Sequence, residues 1–169
     1  MTRECDRFDA INLGQGVCDL PTPESVLTAA SHAVLKDKST YSKPEGAPEL
    51  RKAIAEKVRD YNGLKHADPE TDVVVTIGAT GAFNCAIHAL LEPGSEVLVF
   101  EPYYGYHVNS LMVGGFKPVF VTLEPPGWQL TWETIEAAVT PRTRAIVVNT
   151  PVNPSGKVMT GDELAIIAG

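Results

Sequence analysis

The sequence predicts an α/β fold, in which helices flank a mainly parallel β-sheet. Three observations lead to this prediction. From residue 72 onward, short apolar runs rich in β-branched residues alternate with segments whose apolar residues recur at helical spacing. Turns containing glycine or proline separate these runs. Polar and aromatic residues cluster just after the predicted strands, in the segments GATGA, EPYYGYH and TPVNPSG.

Two predicted helices precede the alternating region. The first runs from residue 23 to about residue 37, and the second from about residue 49 to residue 61. Each has apolar residues three or four positions apart, which places them on one face of a helix. These residues are Val26, Leu27, Ala30, Val34 and Leu35 in the first helix, and Leu50, Ile54 and Val58 in the second.

Strands and helices then alternate to the end of the chain. In parallel sheets of this kind, ligands bind beyond the carboxyl ends of the strands. The segments that follow the first, second and fourth strands are therefore candidate ligand contacts. The predicted strands are 72–77, 96–100, 118–123 and 144–149, and the predicted helices are 81–91, 106–113, 131–139 and 161–168.

The composition is that of a globular chain and argues against several function classes. The net charge of −7 is spread without the basic stripe that nucleic acid or an anionic membrane requires. No apolar stretch approaches the roughly 20 residues of a membrane span, and the first residues lack a signal-peptide core. Cys5, Cys18 and Cys85 are widely spaced, so we expect reduced thiols in a cytoplasmic protein. The four histidines are scattered, and no metal site is expected.

The residues at the strand ends suggest one kind of ligand. Small residues at 78–81 let backbone amides approach an anion where a helix begins. The tyrosines of EPYYGYH can stack on a flat ring. The amide of Asn153 can hydrogen-bond an oxygen on that ring. These features together fit a phosphorylated aromatic cofactor better than a nucleotide, whose ribose would require an acidic partner.

Each of these segments also has a simpler interpretation. Asn-Pro and Ser-Gly pairs are ordinary turn residues, and Gly78–Gly81 can form a tight turn without a ligand. At least one of the three tyrosines is explained by packing of the next helix against the sheet. A nucleotide-binding α/β domain also stays open at this point.

The motifs in their order resemble the N-terminal half of a class I/II aminotransferase, a fold type I enzyme that uses pyridoxal 5′-phosphate (PLP). INLGQGVCDLPTP, YSKPEGAPELR, VTIGATGA, EPYYGYH and NTPVNPSGKV follow one another as the corresponding family segments do. Within the family, the sequence resembles the kynurenine and methionine aminotransferases. The resemblance implies a partial PLP-binding large domain at 46–169, preceded by an N-terminal arm and small-domain or interface segment at 1–45.

The resemblance also implies roles for individual residues around the cofactor. The backbone at Ala79 and Thr80 would hold the cofactor phosphate, and Tyr104 would stack on the pyridine ring. Asn153 would hydrogen-bond the phenolic oxygen O3′ of that ring. Tyr41 would reach the phosphate bound by the partner subunit of a homodimer.

The implied substrates are an amino acid and a 2-oxo acid, between which the family transfers an amino group. Gly16 would lie beside the substrate carboxylate. The family's Schiff-base lysine, and its aspartate and arginine partners, lie further along the chain than residue 169. Lys43 and Lys157 do not match that lysine, so this chain alone is not expected to catalyse transamination.

The sequence ends within a helical pattern, which indicates a fragment of a longer protein. Other functions stay open from the sequence. One is that of a PLP-dependent lyase or decarboxylase, and another is that of a non-catalytic protein that binds a phosphorylated ligand.

Overall fold

The computed structural model describes residues 2–14, 16, 18–36 and 40–169. The chain divides into two compact units, Met1–Ser42 and Lys43–Gly169. The smaller unit contains α1 (Thr2–Arg7) and α2 (Glu24–Leu35). The predicted first helix is thus confirmed as α2, although its expected end near residue 37 lies outside the described residues. All residues of α2 except the half-buried Ala33 are exposed.

The larger unit holds the sheet and the helices around it. Its helices are α3 (Pro48–Asp60), α4 (Gly78–Leu90), α5 (Gly105–Val113), α6 (Trp132–Glu136) and α7 (Gly161–Ala168). Its strands are β1 (Glu96–Glu101), β2 (Lys117–Thr122) and β3 (Thr143–Val147). These strands confirm three of the four that the sequence predicts. None of the helices in the described part of the chain has the length and apolar character needed to cross a membrane.

The sheet of the larger unit is parallel, with the strand order β2-β1-β3. The central strand β1 is buried on both faces, as expected for a parallel strand covered by helices on each side. Val97 and Val99 face one core, together with residues of α4 and α5. Leu98 and Phe100 face a second core, which contains Ile135 of α6 and half-buried residues of α7.

The segment 72–77 is not a strand, and this sequence prediction is wrong. Its backbone makes isolated hydrogen bonds instead of a ladder: the amide of Val75 donates to the carbonyl of Glu45 at 2.9 Å. The carbonyl of Val73 accepts from Nε of Arg51 at 3.0 Å. A β-branched run becomes a strand only where a neighbouring strand can pair with it. No such neighbour lies beside 72–77 among the residues described.

Two other predictions differ from the structure in detail. In α3, Leu50 is 47% exposed and the guanidinium-bearing Arg51 is buried instead, because it binds the carbonyl of Val73. Helix α6 ends at Glu136, earlier than expected, because the chain tightens there and the amide of Ala138 donates to the carbonyl of Ile135 at 2.9 Å.

The central strand β1 begins with a buried carboxylate. Glu96 is 1% exposed, and Oε2 accepts a hydrogen bond from Oγ1 of Thr140 at 2.6 Å. Oε1 accepts from Nη2 of Arg142 at 2.7 Å and from Nζ of Lys117 at 3.1 Å. The hydrogen bonds from Thr140, Arg142 and Lys117 outweigh the effect of burial and lower the pKa of Glu96 to about 2.

Stability is therefore expected to depend on pH through Glu96. Its pKa falls from an ordinary value of 4.5 to about 2 on folding. The carboxylate thus stabilises the fold fully above pH 4.5, and this contribution is lost as the pH falls toward 2. Glu96→Gln should lower the free energy of unfolding at neutral pH. It should also flatten the loss of stability over the acidic range, as measured by urea unfolding.

The variant Thr140→Val provides a graded comparison, since it removes the leading hydrogen bond but retains the carboxylate. We expect its pH dependence to lie between those of the wild-type protein and Glu96→Gln. Identical pH dependence in all three proteins would contradict the assigned role of Glu96.

Candidate functional site

The carboxyl ends of β1 and β3 open onto a small recess. Aromatic residues that follow β1 form one side of it, and residues that follow β3 form the other. Its lining includes Val99, Tyr104, His107, Asn149 and Val152. The predicted convergence of two of the strand-end segments, EPYYGYH and TPVNPSG, is therefore present in the structure.

The glycine-rich segment after residue 77 forms the first turn of α4 itself, rather than a turn before the helix. Gly78 has a φ of +68°, a left-handed conformation that favours glycine. The side chains of Ala79 and Thr80 are exposed. The amides of these two residues have no hydrogen-bond acceptor among the described residues. This arrangement presents free N–H groups and the positive end of the helix dipole to an anion.

Tyr104 lies at the position that caps α5, where the chain leaves β1. Its half-buried ring meets the ring of His107 edge-on, with centroids 5.3 Å apart. The ring of His107 also contacts that of Phe83 at 4.7 Å, which joins α4 to α5 beside the recess. Burial lowers the pKa of His107 below its usual value and favours the neutral ring. Tyr104 is thus held by neighbouring aromatic rings.

A second contact joins the two helices that border the site. Nδ2 of Asn84 donates to the carbonyl of Thr80 at 2.9 Å and is 3.2 Å from Oγ of Ser110, with which it also hydrogen-bonds. The first turn of α4 is therefore tied to α5, the helix that Tyr104 caps.

Asn153 lies at the surface in the turn after β3. The turn is closed on itself: the amide of Val152 donates to the carbonyl of Lys157 at 2.8 Å, and the amide of Gly156 donates to the carbonyl of Val152 at 2.7 Å. The peptide bonds before Pro151 and Pro154 are cis. Val152 lines the recess, and Asn153 follows it in the same short turn.

A largely buried ion pair links this turn to α7. Nζ of Lys157 is 2.8 Å from Oε1 of Glu163, and the two side chains are 13% and 9% exposed. Glu163 also accepts hydrogen bonds from the amides of Leu130 and Thr160. Burial opposes ionisation of Glu163, but the bonds from Lys157, Thr160 and Leu130 outweigh it and lower its pKa to about 2.

The structure brings together some of the predicted site residues. Tyr104 and the turn of Asn153 border one recess, and Ala79 and Thr80 begin a helix that packs against α5. Tyr41 and Gly16 belong to the other compact unit. Tyr41 is fully exposed, and an added Cβ at Gly16 would meet no atom within 4 Å.

The sequence alone did not indicate the contacts of His107 or the pair formed by Lys157 and Glu163. The pair had a readable signal, because Thr160 and Glu163 form a capping box at the start of an apolar helical run. The neighbours of His107 had no such signal, since Phe83 lies 24 positions away on another helix. The thiols of Cys5, Cys18 and Cys85 are free. Within the described residues, no group of three or more His, Cys, Asp or Glu could hold a metal ion.

Comparison with known proteins identifies the family of this chain. The family model for aminotransferase class I and II matches residues 9–169, nearly the whole sequence. The chain belongs to the class I and II aminotransferase family. The match includes all the segments on which the sequence resemblance rests, and it confirms that resemblance.

Several named aminotransferases are similar to this family member. The probable N-succinyldiaminopimelate aminotransferase DapC of Mycobacterium tuberculosis is 42% identical over 170 residues, which cover 99% of this chain and 43% of the relative. Kynurenine–oxoglutarate transaminase 1 of Homo sapiens is 38% identical over 173 residues, which cover 95% and 41% of the two chains. The aminotransferase chain thus spans about two fifths of the length of these curated relatives.

Solved aminotransferase structures share the fold. N-succinyldiaminopimelate aminotransferase from Mycobacterium tuberculosis superimposes with a TM-score of 0.92 at 42% identity, covering 99% of this chain and 44% of that one. YbdL from Escherichia coli, identified as having a methionine aminotransferase function, gives a TM-score of 0.90 at 32% identity, covering 98% and 44%. The structure is therefore part of the PLP-dependent fold type I architecture, and the predicted likeness to the kynurenine and methionine enzymes is confirmed.

Gly78 provides a test of the first turn of α4. Gly78→Ala is expected to lower the free energy of unfolding by about 1–2 kcal/mol, because the left-handed conformation crowds a side chain. Gly105→Ala is the matched control, since Gly105 opens α5 and an added Cβ there would meet no atom within 4 Å. The free energy of unfolding of Gly105→Ala should hardly change. Equal losses of stability in the two variants, measured by urea unfolding, would contradict this account of Gly78.

Proposed function

We propose that this chain is the N-terminal part of a PLP-dependent aminotransferase that transfers an amino group between an amino acid and a 2-oxo acid. The observation that carries the proposal is that Tyr104 and the turn of Asn153 border one recess at the carboxyl ends of β1 and β3, and that the free amides of Ala79 and Thr80 begin α4, which packs against α5. The family match over residues 9–169 supports it.

The described residues fit a flat, phosphorylated cofactor. The amides of Ala79 and Thr80 would bind the phosphate, because they lack other acceptors among the described residues and lie at the positive end of α4. Tyr104, whose orientation is constrained by His107, would stack on the pyridine ring. Asn153 would donate a hydrogen bond to the phenolic oxygen O3′. When bound, PLP supplies an electron sink for the amino-acid substrate.

Two further contacts are proposed from the family alone. Gly16 would lie beside the substrate carboxylate; the space around it is open, since an added Cβ would meet no atom within 4 Å. Tyr41 would reach the cofactor phosphate of the partner subunit in a homodimer, consistent with its full exposure in this chain. We propose residues 1–45 as the arm and interface segment, and 46–169 as the first part of the cofactor-binding domain.

Activity of the full-length protein tests the proposal directly. The purified protein should bind PLP with a shift in its absorbance spectrum. It should then convert a 2-oxo acid to the matching amino acid when a donor amino acid is supplied. A panel of donors with 2-oxoglutarate as acceptor, followed by chromatography of the products, measures this transfer. Failure to bind PLP, or binding without amino-group transfer to any acceptor, would contradict the proposal.

Removal of the Asn153 amide should alter the bound cofactor. The charge-assisted hydrogen bond to the phenolic oxygen is worth about 1.5–3 kcal/mol. One pKa unit corresponds to about 1.4 kcal/mol. In Asn153→Ala, the pKa of the cofactor chromophore should therefore rise by about one to two units in an absorbance titration.

The matched control for Asn153 is Asn109→Ala, which removes an exposed amide from α5. Its chromophore should titrate as in the wild-type protein. An unchanged pKa in Asn153→Ala, with the cofactor still bound, would mean that Asn153 only shapes the turn.

Lys157 should not become attached to the cofactor. Its ammonium donates to Glu163 and approaches the carbonyl of Gly127 at 3.4 Å, so it is not available as a nucleophile. After borohydride reduction of the PLP-loaded full-length protein, peptide mapping should find no pyridoxyl group on Lys157. Stoichiometric labelling of that residue would overturn this assignment.

A further inference from the structure

Lys157 is a largely buried charge to which the proposed function gives no role. Only 13% of its side chain is exposed, although lysine is a residue that proteins rarely bury without a partner. Nζ lies 2.8 Å from Oε1 of Glu163 and 3.4 Å from the carbonyl oxygen of Gly127. The long side chain therefore reaches from the turn of Asn153 into the body of the larger unit.

The backbone of Lys157 closes the turn in which Asn153 lies. Its carbonyl accepts the amide of Val152 at 2.8 Å, and its own amide donates to Oγ of Ser155 at 3.3 Å. Val152 and Lys157 thus form the two ends of a short closed loop, and Asn153 lies between them. A shift of Lys157 would be transmitted to Asn153 through these bonds.

Glu163 forms the fixed end of the ion pair. Its oxygens accept hydrogen bonds from the amide of Leu130 at 3.0 Å and from the amide of Thr160 at 2.8 Å. Its own amide donates to Oγ1 of Thr160, which completes the capping box of α7. With three segments attached to one carboxylate, Glu163 provides a rigid anchor for the ammonium group of Lys157.

We propose that Lys157 is a positioning residue: through its ion pair with Glu163, it holds the turn of Asn153 in the geometry that binds the cofactor. This inference rests on the proposed function. Lys157 would act through Asn153 and would not touch the cofactor or substrate. Breaking the pair leaves a buried carboxylate without its cation, which destabilises the packing that holds the turn.

A double-mutant cycle in the full-length protein tests this route. The four proteins are the wild type, Lys157→Met, Asn153→Ala and the double variant, and the probe is PLP titrated by absorbance. A positioned, charge-assisted hydrogen bond is worth about tenfold in affinity or more. Each single variant should therefore bind PLP about tenfold more weakly. The double variant should bind no more weakly than Asn153→Ala alone, since Lys157 would act through the missing amide.

Lys157→Arg provides the conservative rescue, because it retains the cation. We expect it to recover most of the affinity lost in Lys157→Met. The pKa of the cofactor chromophore should follow the same order as the PLP affinity. It should shift in Lys157→Met and lie closer to the wild-type value in Lys157→Arg. A residue that merely stabilises the fold would not alter that pKa.

A matched pair of carboxylate variants separates positioning from general loss of stability. Glu163→Gln and Glu96→Gln each neutralise a buried carboxylate whose pKa is about 2, at opposite ends of the sheet region. Both should be less stable to urea, but only Glu163→Gln should weaken PLP binding. Glu163→Gln also serves as the test variant if Lys157→Met does not fold.

The possible results discriminate between the two proposals. If the wild-type protein does not bind PLP, the proposed function fails and this inference fails with it. If the wild-type protein binds PLP but the losses at Lys157 and Asn153 are additive, only the positioning role is overturned. Equal weakening of PLP binding by Glu96→Gln and Glu163→Gln would also overturn it.

Discussion

Burial of β1 on both faces is the constraint on which the larger unit depends. Alternate side chains of β1 point into two separate cores, so helices must cover both sides of the sheet. Both pairings of β1 are parallel, with β2 on one side and β3 on the other. Because parallel strands end at the same edge, the turns after β1 and β3 meet there. The position of the candidate site therefore follows from the parallel pairing of the buried central strand.

Two buried carboxylates secure opposite parts of this arrangement. Glu96 lies at the amino end of β1 and draws together Thr140, Arg142 and Lys117 from the neighbouring strands and their connections. Glu163 lies next to the turn after β3 and accepts a hydrogen bond from Nζ of Lys157. Each carboxylate is ionised because several donors compensate its burial. Glu96 thereby holds the amino end of β1 as part of the scaffold. Glu163 instead lies next to the turn that carries Asn153.

Sequence periodicity was sufficient to predict the elements that pack locally. Helices α2, α3, α5 and α7 and the three observed strands lie where their patterns indicated, within a few residues. The segment 72–77 has an equally apolar and β-branched pattern but is not a strand. Strand formation depends on a partner that is remote in sequence, and the pattern of the segment itself carries no information about that partner. Leu50 is exposed and Arg51 is buried for a related reason, because the guanidinium of Arg51 donates to a carbonyl 22 residues away.

Local spacing and side-chain identity were enough to predict the fold class, the order of the motifs and the chemical type of each candidate residue. Which of these residues share a site depended on how the elements pack. The packing brought Tyr104 beside the turn of Asn153, placed His107 between two aromatic rings, and paired Lys157 with Glu163. These contacts join different elements, so they depend on how strands and helices pack, which no local pattern specifies.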